Sequence, residues 1–167
     1  LLMMSTNSIF SPSSGKSIMT PTQDIILGIY YITSLRQYDK MKKFRSRAGA
    51  DKKKERLPIL RDINEVRLAY DEETLSIHDR IHFKNPNYKQ KTKFGNSEKR
   101  IIETTVGRVF FNELWPASIG FVNKTVNKEL LSKLIWYCRH LAGHATTTHV
   151  LDKLKQIGFE HSTLAGI

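Results

Sequence analysis

The period of the hydrophobic pattern changes along this chain, and that change constrains the fold most. After Asn127, apolar residues recur at helical spacing in two stretches, which Gly143 separates. Asn127 is a good N-cap for the first helix, and the second runs from about Thr146 to Ile157, where Gly158 closes it. Residues 117–167 are therefore predicted to form a helical hairpin. The stripe of the first helix comprises Leu130, Leu131, Leu134, Ile135, Cys138 and Leu141.

The part of the chain before Pro116 has the patterns of strands and loops. Residues 75–83 alternate between apolar and polar, and residues 101–115 are rich in β-branched and aromatic side chains. These two strands would pair in an antiparallel sheet, with the polar residues 84–100 as the loop between them. The prediction is an α+β fold, in which an extended and β portion over residues 1–116 precedes the helical hairpin.

Two further segments carry helix signals. Residues 25–32 are apolar on all sides, so they would form either a buried helix or a buried strand. Thr22 or Asp24 could cap a helix at that point. Asp62 could cap a short second helix. The apolar face of that short helix would comprise Val66, Leu68, Ala69 and Tyr70.

The chain is strongly basic, with a formal net charge of +11. Such a field favours polyanions such as nucleic acid, nucleotides or an acidic partner. Two basic stretches, at about 34–58 and 84–100, are interpreted as surface insertions. Aromatic residues interleave with the cations, either as base-stacking platforms or as anchors that hold the loops. One open alternative is therefore a stand-alone basic α+β module that binds nucleic acid. The aromatics are Tyr38, Phe44, Tyr88 and Phe94.

Few other residues in the sequence suggest a catalytic, redox or metal-binding role. One cysteine excludes an internal disulfide and suits a reducing, cytoplasmic compartment, and no apolar run is long enough for a membrane span. Cys138 and three nearby histidines invite a zinc site, but a buried thiol and surface histidines explain the same residues. His78 and His82 are expected to face solvent. No catalytic constellation is recognisable, and both ends of the chain are those expected of a piece of a longer protein. The three nearby histidines are His140, His144 and His149.

Five stretches, in order, resemble the β′ subunit of bacterial-type DNA-directed RNA polymerase, its largest catalytic subunit. The two basic stretches match this family least. The matching residues are Leu2–Lys16 (similar to LMMSTNNILSPANGKP), Thr20–Thr33 (PSQDVVLGLYYLT), Glu103–Val109 (TTVGRVIF), Phe121–Lys124 (PFVNK) and Leu151–Gly166 (LDxLKxLGFxxATxAG).

The resemblance implies a place in the family's pore domain, which lines the secondary channel for nucleotide entry and for extrusion of the RNA 3′ end. It implies that Gln23 and Asp24 lie near that 3′ end, with Asp24 capping a helix. It implies for Arg108 a phosphate contact, a buried ion pair or a structural role. Lys124 and Asn7 are weaker candidates for the same kinds of contact.

The resemblance also implies what the chain lacks. The family's Asp-rich loop, which holds Mg²⁺ in the complete enzyme, has no counterpart here, nor do its bridge helix and trigger loop. We therefore expect this chain to bind no Mg²⁺ and to be inactive alone. The implied partners are the rest of β′, the β, α, ω and σ subunits, DNA, RNA and nucleoside triphosphates. The implied location is the cytoplasm, at the nucleoid, with no membrane contact.

Overall fold

The structure, a computed structural model, describes residues 23–35 and 57–164, the last three of these by their backbone only. Helices and a small sheet both occur, so the predicted α+β class is confirmed. The elements in chain order are α1 (Gln23–Thr33), β1 (Ile59–Leu60), α2 (Ile63–Asp71), β2 (Arg80–Lys84), β3 (Ile101–Thr105), α3 (Val106–Glu113) and α4 (Lys128–Leu164).

The described residues fall into two compact units. One unit holds residues 23–31, 114–119 and 126–164, and the other holds residues 32–35, 57–113 and 120–125. The boundary predicted from the sequence, between residues 116 and 117, stays a prediction.

The sheet belongs to the second unit and has the order β1-β2-β3. β2 and β3 pair antiparallel, as the sequence predicts, and Ile81 lies opposite Thr104. The short strand β1 was not predicted; it pairs parallel to β2, so the sheet is mixed rather than purely antiparallel. Alternate side chains of β2, Ile81 and Phe83, are buried, which is the period-2 pattern of a half-buried strand.

The predicted strand over residues 75–83 begins only at Arg80. Asp79, the one residue that breaks the alternation, explains the difference. Its carboxylate accepts a hydrogen bond from the Ser76 N–H at 2.8 Å, and its own N–H donates to the Ser76 carbonyl at 3.0 Å. An aspartate that bonds to nearby backbone favours a turn over a strand.

The prediction that residues 101–115 form one strand is wrong after Thr105, because Val106–Glu113 is α-helical. The Thr105 hydroxyl accepts from the Arg108 N–H at 3.3 Å, the i to i+3 bond of a helix start. Gly107 lies so close to the Ile32 carbonyl that a Cβ there would be 1.9 Å from its oxygen. The β-branched residues of this segment predicted a strand. The close packing of Gly107 against the Ile32 carbonyl favours instead a turn into the helix α3.

The short helix α2 begins as predicted. The Asp62 carboxylate accepts from the Glu65 N–H at 2.9 Å, so Asp62 is its N-cap. Val66 is fully buried, whereas Leu68 is 59% exposed. Leu68 was wrongly assigned to the apolar face, since residues two apart lie on nearly opposite sides of a helix.

Residues 25–32, left open between helix and strand, form part of α1. The helix begins at Gln23, so Asp24 lies within its first turn rather than at its cap. The other proposed cap, Thr22, lies outside the described residues. Ile25 and Ile29 are buried, while Tyr30 is 46% exposed.

The C-terminal helical region agrees with the prediction at its start and at its break. The Asn127 side chain accepts from the Leu130 N–H at 2.8 Å, which confirms the N-cap. Gly143, at φ +88° and ψ 175°, separates two helical segments within α4. Leu141, placed on the apolar stripe, is 52% exposed, because it lies beyond the buried stretch that ends at Cys138.

The prediction that Gly158 ends the second helical segment is wrong. α4 continues to Leu164, and Gly158 lies where α1 and α4 touch. A Cβ built on Gly28 would lie 2.0 Å from the Gly158 carbonyl oxygen. The glycine pair therefore permits close approach of two helices. In sequence, a glycine with this role looks the same as a glycine that ends a helix.

Candidate functional site

Gln23 and Asp24 lie exposed at the beginning of α1. Beside them is a surface groove of about 370 Å³. Its lining combines a carboxylate, an ammonium and a carboxamide with an apolar floor, and its aromatic member, Phe159, is 65% exposed. The lining residues are Asp24, Ile25, Lys155, Gln156 and Phe159.

Arg108 lies in the other unit and is 9% exposed. Its Nε donates to the Thr33 carbonyl at 2.9 Å, at the last residue of α1. Its Nη atoms donate to the Asn123 Oδ1 at 3.2 Å and to the Thr125 hydroxyl at 3.4 Å. Burial lowers the pKa of the guanidinium from its ordinary value. These contacts are structural, and a phosphate contact for Arg108 stays a prediction.

Residues 120–125, which include the motif Phe-Val-Asn-Lys, are held by side chains from outside the segment. The Asn87 Oδ1 accepts from the Phe121 N–H at 2.8 Å. Asn112 bonds to both sides of Val122, accepting from its N–H at 2.7 Å and donating to its carbonyl at 2.9 Å. A carboxamide that pairs with both backbone groups of one residue fixes that residue as a neighbouring strand would.

We call Asn87, Arg108 and Asn112 the amide clamp of this segment. Sequence reasoning found Arg108 but missed the two asparagines. Asn87 looked like a turn residue, and Asn112 was placed in a strand. Once α3 is known to be a helix, the i,i+4 spacing of Arg108 and Asn112 puts both on one face, and this is the signal that could have identified Asn112.

The amide clamp fixes the backbone beside the candidate residue Lys124. The preceding Asn123 donates from its carboxamide to the Glu103 carbonyl at 2.8 Å. Lys124 itself is exposed, so a clamped backbone presents its ammonium to solvent. Asn7, the remaining candidate, lies outside the described residues.

No metal centre is found within residues 23–35 and 57–164, where no three His, Cys, Asp or Glu side chains group to hold an ion. His140 stacks on Trp136, with ring centroids 3.8 Å apart. His78 and His82, which are expected to face solvent, are each partly exposed, and the His78 Nδ1 lies 3.1 Å from the Ser34 carbonyl oxygen.

The Cys138 thiol is buried and accepts a hydrogen bond from the Thr147 hydroxyl at 3.6 Å. Burial raises the pKa of this thiol, and the bond from Thr147 opposes the rise. Because the raised pKa favours the neutral thiol, the associated stability is complete below the ordinary thiol pKa and declines as the pH rises through the folded value.

We expect Cys138 in the native chain to react with a thiol reagent at pH 8 at least about tenfold more slowly than in denaturant, since reaction requires opening of the fold. The absorbance of the coloured thiolate that the reagent releases on reaction measures the rate, and free cysteine is the control. Equal rates in native buffer and in denaturant would show that the thiol is accessible.

No helix within the described ranges combines the length and apolar character needed to cross a membrane.

Comparison with known proteins identifies the family. The family described as RNA polymerase Rpb1, domain 3, matches residues 8–167. Over its whole length the chain is 46% identical to the DNA-directed RNA polymerase subunit β′ of Opitutus terrae and 44% identical to that of Methylacidiphilum infernorum. It is 35% identical to the same subunit of Syntrophomonas wolfei. The chain spans 11%, 11% and 14% of these relatives, respectively. Since the family match covers nearly every residue, the chain belongs to the RNA polymerase Rpb1 domain 3 family.

Proposed function

We propose that this chain is part of the β′ subunit of a DNA-directed RNA polymerase. In that enzyme it would line the secondary channel, through which nucleoside triphosphates enter and the RNA 3′ end is extruded. The observation that carries the proposal is the similarity, over the whole chain, to β′ subunits of three bacteria. The same similarity favours a polymerase part over a stand-alone nucleic-acid-binding module.

The charge of the chain suits a channel wall. A nucleoside triphosphate carries several negative charges, and a narrow passage with positive walls concentrates such a substrate. The formal net charge of +11 supplies the required sign. Lys124 is exposed on a segment that the amide clamp holds, so its charge would be displayed without large backbone motion.

Gln23 and Asp24 are the proposed contacts near the RNA 3′ end. The Gln23 carboxamide both donates and accepts hydrogen bonds, so it suits a ribose or a base edge. Asp24 lies in the first turn of α1, where the helix dipole favours a carboxylate. Among the described residues, no three His, Cys, Asp or Glu side chains group to hold an ion. The proposal gives this chain no step at the Mg²⁺ of the complete enzyme.

In the complete polymerase, replacing Gln23 with alanine is expected to slow nucleotide addition or transcript cleavage about tenfold. Loss of one well-placed hydrogen bond costs about 1 kcal/mol or slightly more, which corresponds to that factor. Single-turnover extension and cleavage of a paused transcript measure the two rates. Asn64→Ala is the matched control, because Asn64 carries an exposed carboxamide in the other unit and lies outside the proposed contacts. If Gln23→Ala leaves both rates at the control value, Gln23 has no part in the mechanism.

The proposal also assigns partners and location. The chain would contact the rest of β′ and assemble with β, α, ω and σ in the cytoplasm, at the nucleoid. Purified alone, it is expected to incorporate no nucleotide with Mg²⁺ present, and a primer-extension assay of the isolated chain tests this.

A further inference from the structure

Residues 84–100, here called the basic loop, join β2 to β3 and carry a concentrated positive charge. Every cation among them is exposed, and the only acidic side chain is Glu98. The basic loop therefore has a local excess of positive charge that its own residues leave largely uncompensated. Its cations are Lys84, Lys89, Lys91, Lys93, Lys99 and Arg100.

The backbone of the basic loop is held by buried asparagines. The Asn85 carboxamide, 3% exposed, donates to the Asn96 carbonyl at 2.6 Å and to the Lys99 carbonyl at 2.7 Å. The Lys89 N–H donates across the loop to the Ser97 carbonyl at 2.9 Å. Charge runs are most often mobile and solvated. Here the hydrogen bonds fix the backbone that carries the cations, which reduces the conformational entropy that binding would remove.

The Tyr88 ring of the basic loop is already engaged by cations. The Lys89 Nζ lies 5.4 Å, and the Arg100 Cζ 5.5 Å, from the centroid of the half-buried Tyr88 ring. This arrangement keeps two cations at one place on the loop. It favours contact through charge over the base stacking considered for Tyr88 from the sequence.

Lys89 also occupies a backbone conformation that lysine disfavours. Its φ is +61°, in the left-handed region, which glycine and asparagine adopt more readily. The fold alone would therefore be served better by glycine at this position. A lysine there is consistent with a requirement for its side chain.

The composition of the basic loop surface distinguishes between two possible anionic partners, an acidic protein and a nucleic acid. Interfaces between proteins have an apolar centre and are depleted in lysine, whereas interfaces with nucleic acid are more polar and much more positive. Within residues 84–100, all of which the structure describes, no large apolar side chain is exposed. We propose that the basic loop binds the phosphodiester backbone of nucleic acid without reading its sequence. This site goes beyond the proposed channel function, which concerns Gln23 and Lys124.

A salt titration of the purified full chain tests the basic loop. The probe is a fluorescent single-stranded RNA of mixed sequence, and anisotropy gives the affinity between about 50 and 200 mM salt. The loop variant combines Lys91→Gln, Lys99→Gln and Arg100→Gln. The control has the same charge change on exposed lysines of α4, and all other basic residues are kept in both. The control combines Lys128→Gln, Lys133→Gln and Lys153→Gln.

We expect the loop variant to bind at least about tenfold more weakly near 100 mM salt and its salt slope to fall by about 2, since each phosphate contact on a single strand contributes about 0.7. The control should change less than about twofold, because its lysines lie outside the contact. Equal weakening of both variants would mean that only net charge matters, and the site would be abandoned. Tighter loop-dependent binding of polyglutamate than of RNA would assign the loop to an acidic protein instead, which also overturns the proposal.

Lys89→Gly separates binding from folding. Glycine relieves the left-handed conformation, so the midpoint of urea unfolding should stay the same or rise, while RNA affinity falls several-fold. Unchanged affinity in a folded Lys89→Gly chain counts against the basic loop. These results are independent of the Gln23 experiment, so either proposal can fail while the other stands.

Discussion

Alanine in place of Gly28 is expected to destabilise the chain by about 3 kcal/mol or more, at the upper end for overpacking of a core. The added Cβ would lie 2.0 Å from the Gly158 carbonyl oxygen and 2.6 Å from its carbon, so backbone must move away from backbone. The sign is informative, because in an open helix the same change stabilises by about 1 kcal/mol. Urea unfolding of the purified chain, followed by circular dichroism, measures the difference.

Two other glycines serve as controls for Gly28. A Cβ on Gly158 would meet Ile25 at 3.0 Å or more, so Gly158→Ala should change stability by only about 1 kcal/mol. Gly143 has open space around its missing Cβ but a φ of +88°, so Gly143→Ala should cost about 1–3 kcal/mol through the backbone alone. If Gly28→Ala proves as stable as wild type, the close contact of α1 with α4 is wrong.

Replacing Arg108 with methionine is expected to cost about 2–4 kcal/mol of folding stability. Methionine keeps much of the volume but removes the donors to Thr33, Asn123 and Thr125. Buried acceptors without a donor cost about 1–3 kcal/mol each, and partial access of water lowers that figure. Lysine should rescue poorly, since one ammonium does not reproduce the fork of the guanidinium. Denaturant unfolding of the full chain measures both variants.

Arg67→Met is the matched control for Arg108. Arg67 pairs with Glu113 at the surface, where both side chains are more than 40% exposed, so the loss should be less than about 1 kcal/mol. Similar losses at the two arginines would contradict the structural role of Arg108. A crystal structure of the Arg108 variant with residues 120–125 unmoved would contradict it as well.

Sequence patterns correctly predicted the features that depend on neighbours along the chain. The Asn127 and Asp62 caps and the break at Gly143 are local, because each requires only one side chain or one backbone conformation within a few residues. The pairing of β2 with β3 also follows from the direct connection of two apolar runs by one polar loop. The family resemblance added the candidate residues, which composition and spacing do not reveal.

The two asparagines of the amide clamp could not be predicted in this way. Asn87 and Asn112 bond to residues 34 and 10 positions away, respectively, and nothing in their local sequence indicates those partners. Similarly, a polar loop such as residues 84–100 looks mobile in sequence, whereas its fixed backbone depends on the burial of Asn85. Long-range hydrogen bonds of this kind become visible only when the acceptor positions are known.

The sequence by itself determined the α+β class, the buried helical stripe as far as Cys138 and the family to which the chain belongs. Only the tertiary structure decided that residues 106–113 form a helix and that Gly158 lies within one. At both places a glycine accommodates a backbone carbonyl from a distant segment, at Ile32 for Gly107 and at Ile25 for Gly158. Local propensity amounts to less than about 1 kcal/mol per residue, so close packing of this kind overrides it.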